Sequence, residues 1–135
     1  MSIADLTLVR DGIHNPAEPR HYMRLKPVAG HVRIRRGDEL LAESDAAMRL
    51  LEVGRDLYDP VIYVPRADVI APITQIEGKS THCPLKGDCS YFALGANDVP
   101  IAWSYDRPLP FAEALKGLIA FYPDKTTVEE AGPLA

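Results

Sequence analysis

Two cysteines in 135 residues are too few for a disulfide scaffold. Free thiols and a reducing, cytoplasmic setting are the expectation. The opening stretch Met1-Ser2-Ile3-Ala4-Asp5 lacks the basic start and apolar core of a signal peptide. No apolar run approaches the roughly 20 residues that span a bilayer, so no membrane partner is expected. Charge of one sign is also scarce: 15 Lys and Arg against 19 Asp and Glu leave a net charge of −4. That balance argues against nucleic acid as the main partner, because such binding draws on cationic neutralisation of phosphates. Asp-x-Asp and Asp-x-Glu pairs are missing, and Lys86-Gly87 reverses the order of a phosphate-binding loop without its earlier glycine. The residues therefore carry no metal-held phosphate-transfer machinery. Cys83 and Cys89 stand alone rather than in Cys-x-x-Cys knuckles, and His82 would add only a third ligand. Structural zinc normally takes four, so neither a metal nor another cofactor is expected.

What the chain does have is the size of one domain and a globular balance of apolar and charged residues. There is no repeat, no low-complexity tract and no linker between two units. Asn15-Pro16 and Pro19 interrupt regular structure, so residues 1–25 read as an extended N-terminal arm. Residues 26–130 read as a single β domain and 131–135 as a frayed tail. From His31 the chain alternates, with Val32 and Ile34 on one face and His31, Arg33 and Arg35 on the other. Arg36-Gly37-Asp38 reads as a turn into a returning strand over 39–44. Residues 46–52 fit either a helix by composition or a strand by context. Further strands are expected over 60–65, 91–94, 101–105 and 118–122, with the polar turn Gly95-Ala96-Asn97-Asp98 between two of them. Short helical turns are expected at 66–70 and at 111–116, where Pro110 stands at the start and Gly117 at the end. Short strands joined by turns suggest an all-β sandwich or barrel-like domain.

The densest gathering of reactive groups is 80–92, Ser-Thr-His-Cys-Pro-Leu-Lys-Gly-Asp-Cys-Ser-Tyr-Phe, read as a loop feeding a strand. Cys83 is a candidate nucleophile, because a thiol is activated by a nearby cation and Lys86 lies three residues on. Lys86 before Gly87 would offer an ammonium and open backbone amides to a carboxylate or phosphate. Trp103 and Tyr105, spaced i, i+2, share one face of a strand. With Tyr63 and Tyr91 they would form a wall for a flat ligand. Each residue also has an ordinary reading: a buried thiol, a solvated lysine, and aromatics that fill a small β core. Cys89 reads as packing, Arg33 and Arg35 as a solvated sheet surface, and Asp68 as a cap on its short turn. Glu52 would pair with an arginine inside the fold or orient a catalytic group.

An ordered set of residues carries a resemblance: Ala42-x-Ser44, Glu52, Tyr63-x-Pro65, Asp68-Val69, Thr81-x-Cys83-Pro84-x-Lys86-Gly87, Tyr91, Ala102-Trp103-x-Tyr105 and Gly117-x-Ile119-Ala120-Phe121-Tyr122. Over roughly 32–125 the chain resembles the family of domain of unknown function 427, labelled nucleotidyltransferase-like. The resemblance implies a mainly β, β-tent-like fold: two antiparallel sheets leaning together, with short helical turns. Together these features lead to a small cytoplasmic β domain that binds a small anionic or aromatic ligand in a cleft between its sheets. Tyr63, Lys86, Tyr91, Trp103 and Tyr105 would bind it, and Cys83 would be available for catalysis. The rival is a non-catalytic module that recruits a protein partner through an open sheet edge.

Overall fold

Eleven strands and two short 3-10 turns make up the computed structural model, which describes residues 12–96 and 98–132. The strands are β1 (Ile13–Asn15), β2 (Glu18–Pro27), β3 (His31–Arg36), β4 (Glu39–Ser44), β5 (Met48–Val53), β6 (Val61–Pro65), β7 (Ile73–Cys83), β8 (Gly87–Leu94), β9 (Ala102–Pro108), β10 (Leu118–Phe121) and β11 (Thr127–Ala131). One sheet has eight strands in the order β1-β2-β5-β6-β10-β9-β8-β7, and a second has three in the order β11-β3-β4. All of their pairings are antiparallel. The mainly β fold with short helical turns is thus as the sequence implies. Among the described residues no helix is long and apolar enough to cross a membrane.

Period-two alternation explains how this chain builds two cores on opposite faces of one sheet. On β6, Ile62 and Val64 turn toward β3 and β4, while Val61 and Tyr63 turn the other way. On β10, Ile119 and Phe121 join the first group and Leu118 and Ala120 the second. The first core collects Val32, Ile34, Leu41 and Ala42 from the small sheet against Val64, Phe92, Ile119 and Phe121 from the large one. The second collects Met23, Leu50, Tyr63 and Ala120 with Leu85, Ala112 and Leu115, and takes nothing from the small sheet. Leu85 lies in the β7–β8 turn and Leu115 in the 3-10 segment Pro110–Leu115, so these two connections plug one end of that face.

Several elements differ from the sequence reading. Of residues 46–52, those from Met48 on settle as strand, because β5 is paired on both sides, by β2 and β6, and its propensity yields to that context. The described part of the stretch read as an extended arm is built into the fold: β1 and β2 are hydrogen-bonded into the large sheet. None of β7 is expected as strand from the sequence, where Gln75, Glu77, Lys79 and Ser80 are polar; the structure leaves these four exposed. An edge strand needs no apolar face, and β7 is further broken by a register shift between Gln75 and Ser80, with Gly78 at φ 73°. The segment 80–83 therefore belongs to a strand, and only 84–86 turn. Asn97 of the expected turn and 133–135 of the expected tail lie outside the described residues, whereas Ala131 still pairs with His31.

Asp68 lies in the 3-10 turn Arg66–Asp68 but does not cap it. Its carboxylate accepts a hydrogen bond at 2.6 Å from Ser44 Oγ, which in turn accepts one from the Ala46 amide. This chain ties the end of β4 to the connection after β6. Arg33 and Arg35 are paired at the surface, with Glu43 at 2.8 Å and Glu129 at 2.6 Å.

His31 lies between two carboxylates, its Nδ1 2.6 Å from Asp45 and its Nε2 2.6 Å from Glu43, which Arg33 also contacts. Asp45 first, then Glu43, raises the imidazole above its ordinary 6.5. A histidine raised on folding stabilises fully below its unfolded pKa and loses that contribution as pH rises through its folded pKa. Glu43 is lowered, by His31 first and then Arg33, so its contribution is present above its unfolded pKa and fades in acid. Proton NMR titration should place His31 above 6.5, and Asp45→Asn should lower it more than Glu43→Gln. An unshifted His31 would contradict the paired geometry.

Candidate active site

A cavity of about 590 Å³ opens on the face of the large sheet that carries the second core. Its lining comes from β2, β5, β6, β7, β8 and β9, from the loop and turn residues beside them and from Tyr122, and none from the small sheet. The cleft expected between the two sheets is therefore not where the cavity lies. The first core packs between the sheets but leaves a groove of about 460 Å³ there, lined by Ile34 and Val128 of the small sheet and Arg49, Ile62 and Phe121 of the large one. None of the site residues singled out in the sequence lines it, and the cavity that gathers them lies on the other side of the large sheet.

All six residues singled out in the sequence line this cavity: Tyr63, Cys83, Lys86, Tyr91, Trp103 and Tyr105. Strand register explains the convergence. Tyr63 pairs with Ala120, Ala120 with Trp103, and Trp103 with Tyr91, one row across β6, β10, β9 and β8. The small Ala120 between two large rings lets the Trp103 indole reach across and donate to Tyr63 Oη at 3.0 Å. The Tyr63 and Trp103 rings stand edge to face at 88°, and Tyr122 closes on Trp103 with centroids 5.0 Å apart. Such edge and tilted packing is the favoured geometry for aromatic rings. Burial lifts the phenols of Tyr63 and Tyr105 well above their usual range, so both are neutral hydrogen-bonding groups at any ordinary pH.

At the other side of the cavity Glu52 bridges two bases. Lys86 Nζ donates to Glu52 Oε1 at 2.5 Å, and His21 Nε2 meets Glu52 Oε2 at 2.7 Å. The lysine and glutamate side chains are only 12% and 10% exposed, so this is an ion pair largely removed from water. The Lys86 ammonium also lies 5.4 Å from the Tyr105 ring centroid. Lys86 precedes Gly87, whose φ of 115° and close approach to β9 fix the turn: an added Cβ would lie 2.6 Å from the Arg107 carbonyl oxygen. The Lys86 carbonyl accepts from the Leu109 amide at 3.0 Å, which completes the clamp.

The two thiols share the wall but not the environment. Cys89 is buried at 2%, and burial raises its pKa against the partial help of hydrogen bonds from Tyr91 and Thr81. It is a packed, protonated thiol. Cys83 is partly exposed, and among the described residues its thiol has no hydrogen-bond partner. The cation expected to activate it, Lys86, is held by Glu52 instead. His82 pairs with Asp88 at 2.9 Å in a largely exposed position. Iodoacetamide should therefore label Cys83 in the native protein and spare Cys89, with Cys83→Ser abolishing the labelling. Labelling at Cys89 would contradict its burial.

One important lining residue, His21, is not singled out in the sequence. His21 falls in the stretch read as an arm, although His21, Met23 and Leu25 alternate on one face of β2 in the way that would have revealed it. Glu52 was noted, but its partners come from β2 and the β7–β8 turn rather than from an arginine. Among the described residues no group of three or more His, Cys, Asp or Glu is placed to hold a metal ion.

Fold and cavity together define a two-sheet, mainly β domain with one aromatic-walled site built entirely on its larger sheet. The family model described as a domain of unknown function (DUF427) matches residues 24–132, and the chain belongs to that family. No curated protein matches it.

Proposed function

We propose that this domain binds a small organic ligand in the cavity of the large sheet. A flat portion would pack on Trp103, Tyr105 and Tyr122, and the ion-paired cluster of Lys86, Glu52 and His21 would supply directed polar contacts. The observation that carries this reading is the buried Lys86–Glu52 pair facing an open concavity. Removing two charges from water is costly, and a hydrophobic pair of the same bulk would serve stability as well or better. A concave site with aromatic walls and a few convergent polar groups is the usual form of a small-molecule site. Lys86 does not present a bare charge to an anion, because Glu52 neutralises it. Cys83 is the partly exposed thiol of the same wall, where an electrophilic ligand would meet it. The two free cysteines fit a reducing, cytoplasmic setting.

The test is a thermal-shift screen of metabolites. A ligand present at 100 times its Kd stabilises the native state by about 2.7 kcal/mol, which raises the melting temperature measurably. Hits should also change the fluorescence of Trp103, the single tryptophan. A screen in which no stabilising compound perturbs Trp103 would count against the reading.

A further inference from the structure

Beside the aromatic cavity lies a second groove of about 560 Å³, lined by Glu18, Arg20, His21, Gly54, Arg55 and Tyr58. His21 and Tyr58 line both spaces, so the two compartments share a wall. That wall is built by the tight connection after β5. The Tyr58 amide donates to the Glu52 carbonyl at 3.1 Å, and the Tyr58 ring lies over Gly54, where even a Cβ would come within 3.0 Å of it. Tyr58 is half-exposed. A ligand that passes this ring would occupy both compartments at once.

The charges of the two compartments differ in sign. In the inner cavity Lys86 is matched by Glu52, and Asp59 adds a further carboxylate, so an anion gains little there. In the outer groove Arg20 and Arg55 face one carboxylate, Glu18, which lies 3.5 Å from Arg20 across an exposed contact. Arg55 makes no ion pair with the described residues. His21 at the boundary is already engaged with Glu52.

We infer that the ligand is an arene carrying an anionic group, its ring in the inner cavity against Trp103 and its phosphate or carboxylate in the outer groove between Arg55 and Arg20. Guanidinium groups suit both anions, because their planar fork bonds two oxygens at once. This inference rests on the proposed binding site and adds the ligand's class and orientation.

The indole N–H of Trp103 reports on the inner cavity through its bond to Tyr63, and as the single tryptophan it gives one assignable signal. Three probes are titrated against it by 1H–15N NMR: 2-naphthyl phosphate, 2-naphthoate and neutral 2-methoxynaphthalene. The phosphate and the carboxylate should each bind roughly tenfold or more tighter than the neutral ether, a factor that one good charge-assisted contact supplies. A stronger phosphate or a stronger carboxylate would then name the anion. The double variant Arg20→Gln/Arg55→Gln should reduce both anionic probes to the affinity of the ether and leave the ether unchanged. Equal affinities for charged and neutral probes, or a charge preference that survives in the double variant, would overturn the inference while leaving the aromatic site intact. If none of the three moves the Trp103 signal, the binding site itself fails and the inference falls with it.

Discussion

Replacing Glu52 with leucine should destabilise the domain by about 3–5 kcal/mol, the range for removing one partner of a buried ion pair. Lys86 would be left with its ammonium in a mostly buried position, beside the Tyr105 ring and without its carboxylate. His21 would lose its partner on the neighbouring strand at the same time. A domain of this size is stable by only about 5–15 kcal/mol, so the loss should be plain in urea denaturation. Lys86→Met should cost less, since Glu52 keeps His21. The double variant Glu52→Leu/Lys86→Met should recover a large part of the loss, because two apolar groups of similar bulk need no partner. A single Glu52→Leu variant within about 0.5 kcal/mol of the parent, typical of a surface substitution, would show that the pair is open to water.

The second large effect is expected at Gly87. Alanine there meets two separate obstacles, and neither is relieved by a rotamer change. A φ of 115° is nearly closed to residues with a Cβ, a strain of about 1–3 kcal/mol. The Cβ would also lie 2.6 Å from the Arg107 oxygen and 2.8 Å from the Leu109 nitrogen, both backbone atoms of the neighbouring segment. Relief requires β8 to move away from β9, and Lys86, one residue earlier, moves with it. Gly87→Ala should thus lose stability beyond the strain alone and loosen the Lys86–Glu52 contact. Hydrogen exchange should quicken at the Leu109 amide, which donates to the Lys86 carbonyl, and at the amides of β8 and β9 next to the Gly87–Pro108 pair. By contrast, Gly37→Ala places a Cβ in open space at φ 59° and should cost only the modest penalty of a left-handed alanine, about 1–2 kcal/mol.

The sheets and most of the site were legible because their signals are local. The alternation of Val32 and Ile34, the proline-bounded run before Arg66, and the i, i+2 spacing of Trp103 and Tyr105 each state a strand and a face within a few residues. Cys83, Lys86 and Tyr91 could be grouped because they lie on one hairpin, Lys86 in its turn and the other two on its arms. What escaped depends on pairing between distant segments. β7 is largely polar since it is an edge, with Ile73 and Ile76 as its apolar exceptions, and β5 has helix-favouring residues held as strand by neighbours on both sides. Glu52 and Lys86 are 34 residues apart and Glu52 and His21 are 31 apart, so nothing in the local sequence couples them. The side of the sheet that holds the cavity is set by which face the small sheet covers, and this again is a long-range outcome.

The central claim is that a small ligand is held on the concave face of the large sheet by the aromatic row and the buried ion pair. Its most direct test is a map of backbone and side-chain NMR shifts for a stabilising hit from the metabolite screen. The account predicts that the largest shifts fall on Trp103, Tyr105, Lys86 and His21, with little change in β3, β4 and β11. Shifts concentrated instead on the small sheet, or along the outer edge of β7, would contradict it.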